Sequence, residues 1–432
     1  MRKMRKLTAM LLAGIMSLSV LAGCGGKDAG SPDASASSTG TDTGTENGLT
    51  YNGQDVSEPV ELVMYYIGDK TEDEDLILTE INKILKEKIN ATLVLKNMSL
   101  SDYSTKYALT IAGGENFDLI YTSTWAYYQS EANKGAFAEV TEPVLNDYMP
   151  LHKENQADAS WGQAKIGGKV YFVPCNMANV SANAILIRGD LREKYGLDRL
   201  QTEDDLENYY AAVTNDPESG VAFAYDASQN NDTSKAILLY AKNDWVRMEG
   251  ALVNYISYKY TEDFSADDLF WMYGTQEYMD YAKKMKEWAD KGFWSKSAIA
   301  NSTDVKEAFI NGTSASYTQN LGSVGAAASD IEQNHPEWKP EVYDLFPDAH
   351  RFFAAYTGDG VAVLANSQNQ ARAFMALDLM KFDPDLYYLI RHGIKGTHYD
   401  VTEDGMWTPG PDMNKNAYGN GFSWGFKNSM YD

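Results

Sequence analysis

Apolar and polar positions alternate along the first third of the body in a way that predicts strands joined by helices. The segment Val60–Ile67 is apolar and rich in β-branched and aromatic side chains, so it predicts a buried strand. A helix follows, because apolar residues recur every three or four positions over 77–89 and charged residues fill the opposite face. Further strands at 92–95 and 117–121 enclose a helix that we expect Ser101 to cap. This order favours an α/β fold with a parallel sheet, in which ligands meet the carboxyl ends of the strands.

The rest of the chain continues with apolar runs and amphipathic stretches. Strands are predicted at 170–174, 184–188 and 360–364, and long helices at 203–214 and 278–289. The body is long for one hydrophobic core, and its length suits two lobes.

The first 57 residues carry signals of export rather than of a folded core. The start is cationic and residues 7–21 are apolar but short for a membrane span, so residues 1–23 predict a secretion signal. The small residues before Cys24 resemble a bacterial lipobox, in which the thiol receives lipid. An ordinary signal followed by a chance cysteine is the alternative. Residues 25–48 are almost entirely small or polar, and we place a flexible linker at 24–57. We therefore expect a protein anchored by lipid on the extracytoplasmic face of the cell membrane.

The charge and the cysteine and histidine content limit which partners, disulfides and metal sites we expect. The chain has 61 acidic and 37 basic residues and a formal charge of −24, which repels nucleic acid and anionic membrane surfaces. We expect no nucleic-acid partner and no membrane contact besides the lipid on Cys24. Cys175 then has no disulfide partner, so we expect a small buried residue there. The five histidines lack the spacing of metal ligands, so we expect no zinc site, and we predict no metal-binding residues and no cofactor. Calcium binding is the one alternative that stays open.

Motifs of enzymes are weak in this sequence. It has no Gly-x-Ser-x-Gly elbow and no phosphate-binding P-loop, which argues against nucleophilic hydrolysis and against ATP use. The 61 carboxylates supply so many pairs that the pair required by a glycoside hydrolase carries no information. A secreted glycan-active enzyme is therefore the less favoured alternative.

Several segments resemble one family of receptors. Residues 167–174 and 185–197 are similar to the crossing segment, and to the strand and helix after it, of the extracellular solute-binding proteins of ABC importers, especially those for carbohydrate uptake. Residues 307–317 resemble that family's Phe-x-x-Gly-x-x-Ala segment. The stretch 358–399, with the letters GIKGTHY at 393–399, resembles the LipO-like or aldouronate-type subgroup of lipoproteins.

The resemblance implies two α/β lobes, joined by crossing strands, that close on a ligand like a Venus flytrap. It places lobe 1 at 58–178 plus 357–395 and lobe 2 at 179–356 plus 396–432, with lobe 2 truncated at its C-terminus because the subgroup's closing segment is missing. It implies a monomeric, non-enzymatic receptor that delivers an oligosaccharide to ABC permease subunits in the membrane. A peptide-binding receptor of the same class is the closer alternative.

Candidate ligand residues follow from this geometry. Sugars present apolar faces rimmed by hydroxyls, so their receptors need flat aromatic rings and short polar side chains. Trp125 follows Ser123 directly after the third strand, where a large ring has little core to enter. Turn formation alone can explain Asp359, which lies between two glycines. An acidic sugar would require an arginine, for which Arg188 and Arg351 are the candidates. The predicted substrate-binding set is Tyr66, Ser123, Trp125, Asn176, Asp226, Gln319, Asn320, Tyr356 and Asp359.

Overall fold

The computed structural model describes residues 48–178, 182–227, 235–248, 256–261, 263–301, 303–351, 353, 355–411 and 421–431. They belong to one compact unit, Asn47–Asp432. The predicted signal at 1–23, Cys24 and the linker as far as residue 47 lie outside the described residues. The predicted end of the linker at 57 is wrong, because Thr50–Tyr51 pairs with Gln54–Asp55 in a hairpin and Val56 is buried in the hydrophobic core.

The described elements are short strands and helices in nearly equal number. The strands are β1 Thr50–Tyr51, β2 Gln54–Asp55, β3 Val60–Ile67, β4 Ala91–Met98, β5 Leu119–Thr122, β6 Lys165–Ile166, β7 Lys169–Val170, β8 Val173–Pro174, β9 Asn183–Arg188, β10 Trp245–Arg247, β11 Ile256–Lys259, β12 Leu269–Trp271, β13 Ser316–Asn320, β14 Pro340–Tyr343, β15 Gly360–Val363, β16 Tyr399–Val401 and β17 Trp407–Pro409. The α-helices are α1 Glu74–Ile89, α2 Leu100–Ala112, α3 Tyr128–Asn133, α4 Glu142–Tyr148, α5 Pro150–Asn155, α6 Asp158–Gln163, α7 Gly189–Lys194, α8 Glu203–Asn215, α9 Gln276–Asp290, α10 Val305–Ile310, α11 Leu321–Asn334, α12 Gln370–Phe382, α13 Pro384–His392 and α14 Gly421–Trp424.

The first lobe is built on a five-stranded sheet. Its strand order is β4-β3-β5-β15-β8, in which β3 is parallel to β4 and β5, and β15 is antiparallel to both of its neighbours. The predicted strand–helix–strand–helix–strand order and the limits of β3 are confirmed. The third strand starts at Leu119 rather than at 117, because the side chain of Asp118 accepts a hydrogen bond from Val63 N at 2.9 Å at the sheet margin.

Helices α1 and α2 cover this sheet. In α1, Ile77, Ile81 and Leu85 are buried at intervals of four residues, so one apolar stripe faces the strands. The expectation that Ser101 caps the second helix is wrong. Ser99 is the cap, because its hydroxyl accepts from Asp102 N at 3.1 Å.

Helix α12 runs through the middle of the first lobe and is buried over 372–382. Such a helix must satisfy its polar side chains internally. Asp378 accepts hydrogen bonds from Tyr51 Oη at 2.6 Å and from His152 Nδ1 at 2.7 Å, and the Lys381 ammonium donates to Pro174 O. Burial lowers the pKa of Lys381 to about 8.

The second lobe is built on an antiparallel sheet of order β13-β9-β14. The parallel sheet favoured by the sequence therefore describes the first lobe and not the second. The segment 222–223 adds a short parallel pairing through Phe223 and Ser314. Its core includes Tyr209, Tyr210 and Trp288, which are all buried. A smaller sheet, β10-β11-β12, lies in the same part of the chain.

The C-terminal segment belongs to the first lobe, so its assignment to lobe 2 at 396–432 is wrong for the described residues. Phe422 and Phe426 lie in the first-lobe core, and Trp424 O accepts from the Cys175 thiol at 3.1 Å. A β-carbon at Gly425 would lie only 2.8 Å from Val361 Cγ2, so glycine permits the close approach of this segment to β15. Aromatic burial against β3 and β15 is the physical reason for this placement.

Within the described ranges, no helix combines the length and the apolar character that crossing a bilayer requires.

Candidate functional site

Two chain connections join the lobes, and both run between the same two sheet edges. The first leaves β8 at Pro174 and enters β9 at Asn183. The second leaves β14 at Tyr343 and returns to β15 at Gly360. Because the nine residue steps from Pro174 to Asn183 span at most about 32 Å, the first connection keeps these strand ends within that distance of each other. We call the strand ends around Pro174 and Gly360 the first-lobe edge, and the strand ends around Asn183 and Tyr343 the second-lobe edge. Such a junction between lobes is where ligands most often bind.

Trp125 is the exposed aromatic residue of the first-lobe edge, with 53% of its surface accessible. A turn presents it, because Ser123 O accepts from Ala126 N at 3.3 Å and from Tyr128 N at 3.1 Å. Its ring lies 5.8 Å from that of Tyr103, and Tyr103 packs in turn on Tyr107, Tyr121 and Tyr127. The exposed indole is therefore braced from behind by buried tyrosines, which the sequence did not reveal.

Ser123 lies under this turn and is fully buried. The hydroxyls of Thr122 and Ser123 face Tyr103, whose pKa is raised above its ordinary value by burial, while the Ser123 hydroxyl opposes that rise. The position after the strand is as predicted, but the Ser123 side chain is buried and does not meet solvent, while its backbone carbonyl holds the turn that carries Trp125.

Asp359 is held by two partners. Its Oδ1 accepts from the Tyr121 hydroxyl, and its Oδ2 lies 2.7 Å from Lys427 Nζ. The side chains of Asp359 and Lys427 are 16% and 21% exposed. The carboxylate therefore sits at the first-lobe edge as one half of an ion pair, and Lys427, from the C-terminal segment, is a site residue that the sequence did not indicate.

Asn176 is a structural residue at the start of the first connection. Its Oδ1 accepts from Ala157 N at 2.9 Å, and its Nδ2 donates to Asn428 Oδ1 at 3.0 Å. Its backbone N donates to Lys427 O at 2.9 Å. With 5% of its surface exposed, this amide fixes the connection rather than offering bonds to a ligand. Its neighbour Cys175 is buried as expected, and burial raises the pKa of the thiol to about 11.

Tyr66, a predicted ligand-binding residue, lies at the end of β3, but its side chain is turned into the core. It is 1% exposed, and its hydroxyl bonds to Glu74 and Asn97. Its ring packs 5.3 Å from Phe422 of the C-terminal segment. Tyr356 is half-buried beside the return of the second connection, where its backbone N donates to Gln163 Oε1 at 2.8 Å.

Asp226 lies toward the second-lobe edge, because the segment before it runs parallel to the residues that lead into β13. Its Oδ1 accepts from Asn301 Nδ2 at 2.9 Å. Burial raises the pKa of this carboxyl, and the Asn301 amide lowers it. Asn301, 75 residues away, is a partner that sequence reasoning missed.

Gln319 and Asn320 end β13 at the same edge, where Asn320 pairs with Asn183. The Asn320 side chain is committed to capping α11, since its Oδ1 accepts from Ser323 N at 3.0 Å. Gln319 is half-buried, and its Oε1 accepts from Asn320 N at 3.0 Å, which leaves its amide NH₂ directed away from that bond.

The structure thus places Trp125, Asp359 and Tyr356 at one edge and Asp226, Gln319 and Asn320 at the other. The hydrogen bonds given above each join residues of one lobe. Across the ranges that the structure describes, no three histidine, cysteine or acidic side chains come together as metal ligands would.

Comparison with known proteins places this geometry in a family. The family model for bacterial extracellular solute-binding proteins matches residues 75–382 of this sequence. A polygalacturonan/rhamnogalacturonan-binding protein, YtcQ of Bacillus subtilis (strain 168), is 26% identical over 93% of this chain and 76% of its own. A carbohydrate ABC transporter substrate-binding protein of Streptococcus pneumoniae is 31% identical over 36% of this chain, and that match spans only 31% of the relative's length.

Solved structures show the same fold. The N-glycan transport solute binding protein NgtS of Streptococcus pneumoniae, in complex with Man1GlcNAc, superimposes with a TM-score of 0.66 at 19% identity, over 86% of this chain and 79% of that one. Fold and family model agree, and the resemblance noted in the sequence is confirmed: the chain belongs to the bacterial extracellular solute-binding protein family.

Proposed function

We propose that this protein is the substrate-binding component of an ABC importer, which captures an oligosaccharide between its two lobes and passes it unchanged to the permease. The observation that carries the proposal is the exposed Trp125, braced by tyrosines at the first-lobe edge. Its indole face suits the apolar face of a sugar ring, while Asp226 and Gln319 at the second-lobe edge suit its hydroxyls. The named ligands of the relatives, carbohydrates and glycans, support the same class.

The proposed mechanism needs no chemistry on the ligand. A sugar that contacts both edges stabilises the closed arrangement more than the open one, so binding shifts the population of lobe arrangements. The permease then recognises closure. Incubation with a bound oligosaccharide, followed by mass spectrometry, is expected to return the glycan intact; a cleaved product would point to the enzyme alternative.

Calorimetric titration against oligosaccharides and peptides tests the ligand class. Oligosaccharides are expected to bind, and Trp125→Ala is expected to weaken that binding about 10- to 100-fold because stacked aromatic contacts dominate such sites. Trp271→Ala is the matched control, since Trp271 is 60% exposed but lies on β12 of the smaller sheet, β10-β11-β12. Binding of peptides alone, or equal loss in both variants, would contradict the proposal.

The lipid anchor is part of the same proposal. Cys24, after Leu-Ala-Gly, is the residue that would carry a thioether-linked lipid, and residues 25–47 would tether the body beside the permease. Cells grown with labelled palmitate are expected to yield labelled wild-type protein in the membrane fraction and unlabelled Cys24→Ala protein. Equal labelling of both would remove Cys24 as the anchor.

A further inference from the structure

The charge of the ligand can be inferred from how the charged side chains of the candidate site are paired with one another. Recognition of a uronate requires a cation that is free to pair with the sugar carboxylate, and arginine does this best because its guanidinium binds carboxylates through two hydrogen bonds. A uronate site therefore needs a basic side chain near the two edges that is not already paired with a carboxylate of the protein.

Lys427 is a partly exposed cation at the first-lobe edge, where the other described lysine, Lys381, is fully buried, and Lys427 is already paired. Its Nζ lies 2.7 Å from Asp359 Oδ2, and the Tyr121 hydroxyl holds the other carboxylate oxygen. The Lys427 backbone is fixed as well, since its carbonyl accepts from Asn176 N at 2.9 Å. The pair presents no net charge to a ligand.

The two arginines that a uronate site could use are also paired within the second lobe. Arg188 donates to both oxygens of Asp190, at 2.7 and 2.6 Å, and lies 3.9 Å over the ring of Trp338. It stands at the end of β9 opposite to Asn183, about 17 Å from the second-lobe edge at the rise of a strand. Arg351 Nη2 is 2.6 Å from Asp344 Oδ2.

The second-lobe edge carries a carboxylate instead. Asp226 is 6% exposed and takes its hydrogen bond from the uncharged amide of Asn301. An ionised carboxylate only accepts hydrogen bonds, so it matches the hydroxyl donors of a sugar and repels a uronate. The formal charge of −24 opposes the approach of polyanions at longer range.

From these placements we propose that the site takes a neutral oligosaccharide rather than an oligouronate, and that Asp359 is a specificity-determining residue because it neutralises Lys427. The inference rests on the proposed function, since it presumes that the ligand is a glycan bound between the two edges. It runs against the acidic sugars implied by the subgroup resemblance and by the name of the Bacillus relative.

The test is calorimetric titration of the full-length mature protein at neutral pH with two panels, neutral oligosaccharides and oligogalacturonates or oligomannuronates of the same lengths. A neutral glycan is expected to bind tightest, with uronates at least about tenfold weaker. A uronate that binds tightest, with affinity that falls as salt rises, would overturn this inference and leave the receptor function standing. Binding of no glycan, or of peptides alone, would overturn both.

Asp359→Asn tests the specificity residue separately. Removing the carboxylate frees the Lys427 charge, so the ratio of uronate to neutral affinity is expected to rise about tenfold, and Lys427→Gln added to it should abolish the rise. An unchanged ratio in a variant with a native melting curve would contradict the role of Asp359. If that variant does not fold, Lys427→Gln alone is measured instead: it leaves the Asp359 carboxylate without its cation, so the ratio of uronate to neutral affinity should fall, and an unchanged ratio would contradict the role of Asp359.

Discussion

Three carboxylates of the two lobes differ in how many partners they have. In the first lobe Asp378 accepts from Tyr51 and His152, and Asp359 from Tyr121 and Lys427. At the second-lobe edge, Asp226 has one amide partner. A buried group with all of its bonds satisfied maintains the fold, whereas a group with spare acceptor capacity can serve a ligand. For these carboxylates, the number of partners therefore separates structural from ligand-binding residues better than position at a strand end does.

The largest difference in stability is expected when one carboxylate is removed from each lobe. Asp378 is fully buried and accepts from Leu151 N and His152 N as well as from two side chains. Asp378→Ala is expected to lower the free energy of unfolding by about 3–5 kcal/mol, because four donors lose their acceptor. Asp226→Ala should cost about 1 kcal/mol. Urea unfolding measures both, and equal losses would break the contrast.

The same first-lobe set predicts a pH dependence. Burial lowers the pKa of His152 to about 4, although its bond to Asp378 opposes the shift. Below its ordinary pKa of about 6.5 the unfolded state takes up a proton that the native state refuses. Stability is therefore expected to be complete above pH 6.5 and to fall by roughly 3 kcal/mol toward pH 4 from this group.

His152→Gln should flatten that part of the unfolding profile between pH 6.5 and 4. His335→Gln is the matched control, since that imidazole is 41% exposed. If both variants keep the wild-type slope, His152 does not titrate as the structure indicates.

The second-lobe edge predicts a loss of affinity instead. Asp226→Ala removes an acceptor for sugar hydroxyls, and we expect oligosaccharide affinity to fall about tenfold. Calorimetry measures this. Asp204→Ala serves as the control because its carboxylate is 87% exposed on α8. Unchanged affinity in Asp226→Ala would place the ligand elsewhere.

The smallest expected effect concerns Asn320. Its side chain caps α11, so Asn320→Ala should lower the free energy of unfolding by about 1 kcal/mol and change affinity less than twofold. Asn320→Asp, which keeps a capping oxygen, should restore stability in the same urea titration. A larger loss of affinity than of stability would return Asn320 to the ligand-binding set.

The sequence was sufficient where neighbours in the chain decide the structure. The apolar run of β3, the stripe of α1 and the position of Trp125 after β5 all depend on local pattern. It failed where partners are distant: Tyr66 is buried by Phe422, Asp359 is paired with Lys427, and Asp226 with Asn301. The misplaced C-terminal segment has the same cause, because an aromatic pattern predicts burial but does not say against which lobe.

Hydrogen–deuterium exchange, measured with and without a saturating oligosaccharide, decides whether one ligand contacts both edges. We expect binding to slow exchange together in 123–128 at the first-lobe edge and in 318–323 at the second-lobe edge. Protection confined to one of these segments, or found only outside both, would contradict it.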